Sequence, residues 1–94
     1  MAAAQPLNDY SEIANQQIDL LEAGPDFRLY DEVIKVCNQI FDDPNDLRKF
    51  SSVITTTEGL RFATPVPGGH PYKVFWSTSI EGFVRIEAIF PYAG

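Results

Sequence analysis

The hydrophobic period changes once along this chain, near residue 52. Before that point apolar side chains recur at the three-and-four spacing of a helix. After it they alternate, as strands do. Helices followed by a run of hairpin-linked strands form the α+β pattern, an antiparallel sheet with helices on one face.

The first helical stretch runs from Asp9 to Ala23. Tyr10, Ala14, Ile18 and Leu21 make one apolar stripe, with Asn8 or Asp9 as the cap and Gly24-Pro25 as the stop. Asp26 is placed to cap a second helix, from Phe27 to about Phe41. Its polar residues, from Arg28 through Asp42, trace a single stripe; Leu29, Tyr30, Val33, Ile34, Val36, Cys37, Ile40 and Phe41 fill the rest. So wide an apolar face predicts a helix lying deep against a sheet. The short Gly24-Pro25 link predicts an antiparallel helix hairpin. Asp42-Asp43-Pro44-Asn45-Asp46 is a turn rich in capping side chains, and Leu47 to Ser51 can add a helical turn.

Past Val53 the residues are those that favour strands. Val53–Thr57 and Leu60–Val66 read as a hairpin through Glu58-Gly59. Pro65 and Pro67 put the end of the second strand at an edge. Tyr72–Ser77 sets Tyr72, Val74 and Trp76 on one face and Lys73, Phe75 and Ser77 on the other. In Phe83–Phe90, alternation points Val84, Ile86, Ala88 and Phe90 inward and Phe83, Arg85, Glu87 and Ile89 outward. The expected fold is thus a helix hairpin on one face of a three- to four-stranded antiparallel sheet. It is one domain over residues 1–94, with 1–7 flexible, 9–51 helical and 53–92 in the sheet. Phe75, Phe83 and Ile89 would leave the outer face partly apolar. Either the sheet curves around a second small core there, or that face meets a partner.

Charge and composition narrow the function. The net charge is −6, and all of it belongs to residues 1–50, which hold ten acids and four bases. A chain this acidic lacks the basic footprint of a non-specific nucleic-acid binder. One cysteine and one histidine exclude a disulfide framework and paired-histidine metal motifs. No cofactor or metal is expected. No apolar run approaches the ~20 residues of a membrane span. Met1-Ala2-Ala3-Ala4-Gln5-Pro6 lacks the basic flank and apolar centre of a signal peptide, so a soluble cytoplasmic protein is expected.

The order of these pieces resembles the RelE/ParE toxin superfamily over about residues 27–92. The carriers are Ile40-Phe41-Asp42-Asp43-Pro44 ending the second helix, the basic strand Leu60-Arg61-Phe62 and the glycine turn Pro67-Gly68-Gly69. Tyr72-Lys73-Val74-Phe75-Trp76 and the closing strand Phe83–Phe90 complete the set. The resemblance implies a cytoplasmic toxin-antitoxin protein, bound by a cognate antitoxin segment lying across helices and sheet. It also implies that Arg61, Lys73 and Tyr92 sit near the family's RNA-contacting positions. The chain departs from the family in three ways. The family opens with a strand, whereas Met1–Leu7 contains Pro6 and makes a poor one. RNA-cleaving members are basic, whereas this chain is acidic. They carry basic and aromatic or histidine groups near the C-terminus, whereas this chain ends Phe90-Pro91-Tyr92-Ala93-Gly94. These departures favour protein binding over RNA cleavage, with nucleic acid bound weakly or only through a ribosome-type target.

RNA cleavage would need a base, cations for the charged transition state and a proton donor. Arg61 and Lys73 are the candidate cations. His70 is the candidate base by its ordinary pKa, against its reading as a plain loop residue. Tyr92 is a candidate to stack on a base or simply to cover the sheet edge. Cys37 and Trp76 read as core. Asp42, Asp43 and Asp46 read as caps rather than cation ligands, and Gly68-Gly69 has no following helix to make a phosphate loop. Phe75, Phe83 and Ile89 are the candidate partner-binding residues. The alternative to a toxin relative is a small interaction module that buries these aromatics in a symmetric dimer.

Overall fold

A computed structural model describes residues 8–93. The expectation of flexibility for residues 1–7 lies outside that range. The order of elements is β1 (Asn8–Tyr10), α1 (Glu12–Ala23), α2 (Phe27–Asp42), α3 (Pro44–Arg48), β2 (Ser52–Thr56), β3 (Gly59–Pro65), β4 (Tyr72–Thr78) and β5 (Val84–Pro91). The architecture is α+β. The sheet has five strands in the order β1-β5-β4-β3-β2 and is mixed, because β1 runs parallel to β5 while the remaining pairs are antiparallel. This corrects the expected three- or four-stranded antiparallel sheet.

The correction begins at residues 8–11. Asn8 and Asp9 do not cap a helix; they pair with Val84 and Arg85 as strand. Tyr10 leaves the helical stripe, and its ring meets Phe41 edge-on at 5.3 Å. The cap is Ser11, whose Oγ accepts from the Ala14 N–H at 3.0 Å and donates to the Glu87 carbonyl at 2.6 Å. One hydroxyl thus starts the helix and ties it to the last strand. Beyond the three residues of β1, α1 itself covers the edge of β5. The Gln17 side-chain carbonyl accepts the Ile89 N–H, satisfying a donor that a longer β1 would have taken.

The second helix begins where its cap predicts, with Asp26 Oδ1 accepting from the Leu29 N–H. Val33, Val36, Cys37 and Ile40 line its buried face. They join Ala14 of α1 and Val74, Trp76, Val84, Ile86 and Ile89 of the sheet in one core. Asp43 caps α3, with Pro44 at the first helical position, where a missing N–H costs nothing. On β4 the two faces divide as alternation predicts, and β3 matches them residue for residue. Phe62 lies opposite Trp76 and Thr64 opposite Val74 on the helix side, while Ala63 lies opposite Phe75 on the outer side.

In β5 the alternation breaks. Phe75 pairs with Ala88 but Trp76 pairs with Ile86, so Glu87 is an extra residue and the strand bulges. Every side chain after the bulge changes face. Ile89 is therefore not on the outer face: it is 2% exposed and packed in the core. Ala88 and Phe90 do not point inward; they lie opposite Phe75 and Lys73 on the outer face.

Candidate functional site: the outer face of the sheet

The bulge builds the most distinctive surface of the described chain. Moving Phe90 outward lays its ring on Phe75, with centroids 4.5 Å apart and planes 11° from parallel. Tyr92 stands edge-on to both rings, at 5.4 Å from Phe75 and 6.2 Å from Phe90. Three aromatics thus share one patch in the offset-stacked and edge-on arrangements that ring quadrupoles favour. Lys73 continues it, its Nζ 5.5 Å from the centre of the Tyr92 ring. The rings form one wall of a shallow groove of about 270 Å³. Ile54 and Thr56 of β2, with Arg61, Glu87 and Ala88, complete its lining.

The one guanidinium of the groove is flanked by two carboxylates. Arg61 Nε lies 3.8 Å from Glu87 Oε2, and its Nη2 lies 3.4 Å from Glu58 Oε1. A third nitrogen, Nη1, donates to the Leu60 carbonyl at 3.1 Å. Glu87 in turn accepts from the Ser77 hydroxyl at 2.6 Å. One guanidinium between two carboxylates presents little net positive potential to a phosphate. The groove suits an apolar or aromatic side chain better than a nucleic-acid backbone.

Among the residues singled out from sequence, Arg61, Lys73, Tyr92 and Phe75 come together on this face. His70 does not join them. It sits exposed in the β3–β4 loop, beside Asp26, Arg28 and Leu29 at the start of α2. Phe83 precedes β5 in the β4–β5 connection, 41% exposed, its N–H donated to Ser79 Oγ. Ile89 belongs to the core. The residues missed from sequence are Phe90 and Glu87. The available signal was the run Ala88-Ile89-Phe90, three apolar residues that no two-sided alternation with a polar outer face accommodates.

Nothing else in the described chain gathers reactive groups. Cys37 is buried, and burial pushes its thiol up to about 12. Tyr10 beside it is also raised, first by burial and then by Cys37. Arg85 is raised by its bidentate contact with Asp9 across the β1–β5 pair. Among the described residues no group of three His, Cys, Asp or Glu could hold a metal ion, and no helix is long and apolar enough to cross a membrane. Comparison with family models, with curated proteins and with solved structures finds no match to this chain.

Proposed function

We propose that the outer face of the sheet is a protein-binding surface. In this reading the chain is a RelE/ParE-like member of a toxin-antitoxin type system that works by binding protein rather than by cutting RNA. The observation that carries it is the stacked Phe75–Phe90–Tyr92 wall beside an apolar groove whose single guanidinium is already engaged by Glu58 and Glu87. Aromatic side chains held rigid by their neighbours are the anchors of protein interfaces. A groove between aromatics and a sheet edge fits a partner segment that lays one apolar face into it. His70 lines a different pocket from Arg61 and Tyr92, beside Asp26, Arg28 and Leu29, which favours the binding reading over catalysis, since a general base must reach the proton it removes. The strand preceding α1 supports the kinship, because the family opens that way.

The test is co-expression with any short reading frame that adjoins this gene. A stable complex that Phe90→Asp abolishes, with Tyr92→Ala weakening it, is the expected result. Growth arrest that Arg61→Ala and Lys73→Ala relieve while the complex survives would instead assign RNA cleavage. No complex with the adjacent product would remove the toxin-antitoxin reading.

A further inference from the structure

We propose that the free edge of β2 is an interface between two copies of this chain, paired antiparallel about a two-fold axis into one continuous sheet. The strand lies at the end of the sheet, with β3 on one side only. Its five residues, Ser52-Val53-Ile54-Thr55-Thr56, carry no charge and no proline, and pair with β3 in unbroken register. Four of the five are β-branched. Folded proteins guard such edges with lysine, proline, a bulge or extreme shortness, and β2 has none of these. The opposite end of the sheet is guarded. There β1 is three residues long, Asp9 is held by Arg85, and α1 takes over the edge of β5.

Side chains beside the strand agree. On the helix side of the sheet, Val53 is 59% exposed, and its diagonal neighbour Leu60 is 55% exposed. Phe50, just before the strand, is 65% exposed. The helices stop short of this end, leaving an apolar margin next to unpaired backbone.

Charge selects a second copy as the occupant. The segment entering β2 carries Lys49, Arg48 beside it being engaged with Thr78 and the Phe62 ring, and the turn leaving it carries Glu58. In an antiparallel pair the entering end of one strand lies beside the leaving end of the other. Two-fold symmetry therefore brings each basic end alongside the acidic turn of the second copy, twice over. Lys49 meets Asp46 at 3.9 Å and Glu58 meets Arg61 at 3.4 Å with its side chain 82% exposed, loose surface pairs that can exchange partners. Elsewhere the net charge of −6 opposes association of like chains, which confines it to this balanced edge.

Val53 and Leu60 lie on the face of the sheet opposite the binding groove, so Val53→Lys tests the edge without touching the groove, whereas Glu58→Lys also alters the carboxylate beside Arg61. The test is sedimentation velocity of the full chain over a range of concentrations, with circular dichroism to confirm that each variant folds. A concentration-dependent dimer is expected. Val53→Lys and Glu58→Lys should each weaken it about tenfold, and Lys49→Glu combined with Glu58→Lys should restore it. In the wild type, the β2 amides that point away from β3 should exchange more slowly as protein concentration rises. A monomer at every concentration, a dimer indifferent to Val53→Lys and Glu58→Lys, or growth beyond two copies would each overturn the proposal.

Discussion

Thr64→Val isolates a chain of hydrogen bonds that fastens α3 to the sheet. The indole of Trp76 is fully buried and donates from Nε1 to Thr64 Oγ1 at 2.8 Å. Thr64, itself 3% exposed, shares a 2.6 Å contact with Ser51 Oγ, which also donates to the Leu47 carbonyl at 2.6 Å. Ser51 has one proton, and it goes to Leu47, so Thr64 must donate to Ser51. The order is therefore Trp76 to Thr64 to Ser51 to Leu47. Valine keeps the shape of threonine and removes the only acceptor on the indole N–H. An orphaned buried donor costs about 1–3 kcal/mol, whereas Ser51 keeps its bond to Leu47 and adds little. The melting temperature should fall by roughly 4–8 °C for each kcal/mol lost in a domain of this size. Trp76 is the sole tryptophan, so urea unfolding followed by its fluorescence reads the site directly, with circular dichroism as the second probe. Ser51→Ala, which leaves the indole bond intact, should cost less than Thr64→Val. A Thr64→Val protein within about 0.5 kcal/mol of wild type at unchanged denaturant slope would refute the reasoning, since it would mean that the indole N–H costs nothing when unpaired.

Three further outcomes follow from the packing. Cys37 stays protonated in the fold until about pH 12 but ionises in the unfolded chain near pH 8.5, so stability is full below pH ~8.5 and declines above it. The urea midpoint should record a loss of about 1.4 kcal/mol per pH unit from this group, and Cys37→Ala should flatten that alkaline limb. Ser11→Ala removes both the cap of α1 and its bond to the Glu87 carbonyl; it should cost about 1–2 kcal/mol in urea unfolding and speed amide exchange in the first turn of α1. Asp9→Asn breaks an ion pair whose side chains are about half exposed, so it should lower stability by no more than about 1 kcal/mol, an effect that shrinks with added salt in the same assay.

The aromatic wall of the groove lies on β4 and β5 and beyond, while its far side is β2, the strand whose edge is free. A partner segment seated against Phe90 and Tyr92 leaves β2 free to pair, whereas one added as a strand to β2 competes with the second copy. Whether partner binding and dimerisation compete thus reports which of the two modes the partner uses.

Local chemistry in the sequence determined the start of α2 at Asp26, the apolar face that buries Val33, Val36, Cys37 and Ile40, and the two faces of β4. Each rests on a period or a cap that acts within a few residues. Tertiary structure alone decided three things. It made Asn8–Tyr10 a strand, because three residues carry no readable alternation and are held far along the chain, Asp9 by Arg85 and the next N–H, of Ser11, by the Ile86 carbonyl. It inserted the bulge at Glu87, and so exchanged Ile89 for Phe90 on the outer face. It also brought Glu87 of β5 to Arg61, which Glu58 already meets, so that two carboxylates flank the candidate cation. Sequence periodicity reports which side chains share a face only while the register is unbroken. One extra residue, placed by packing across strands, reverses every assignment that follows it.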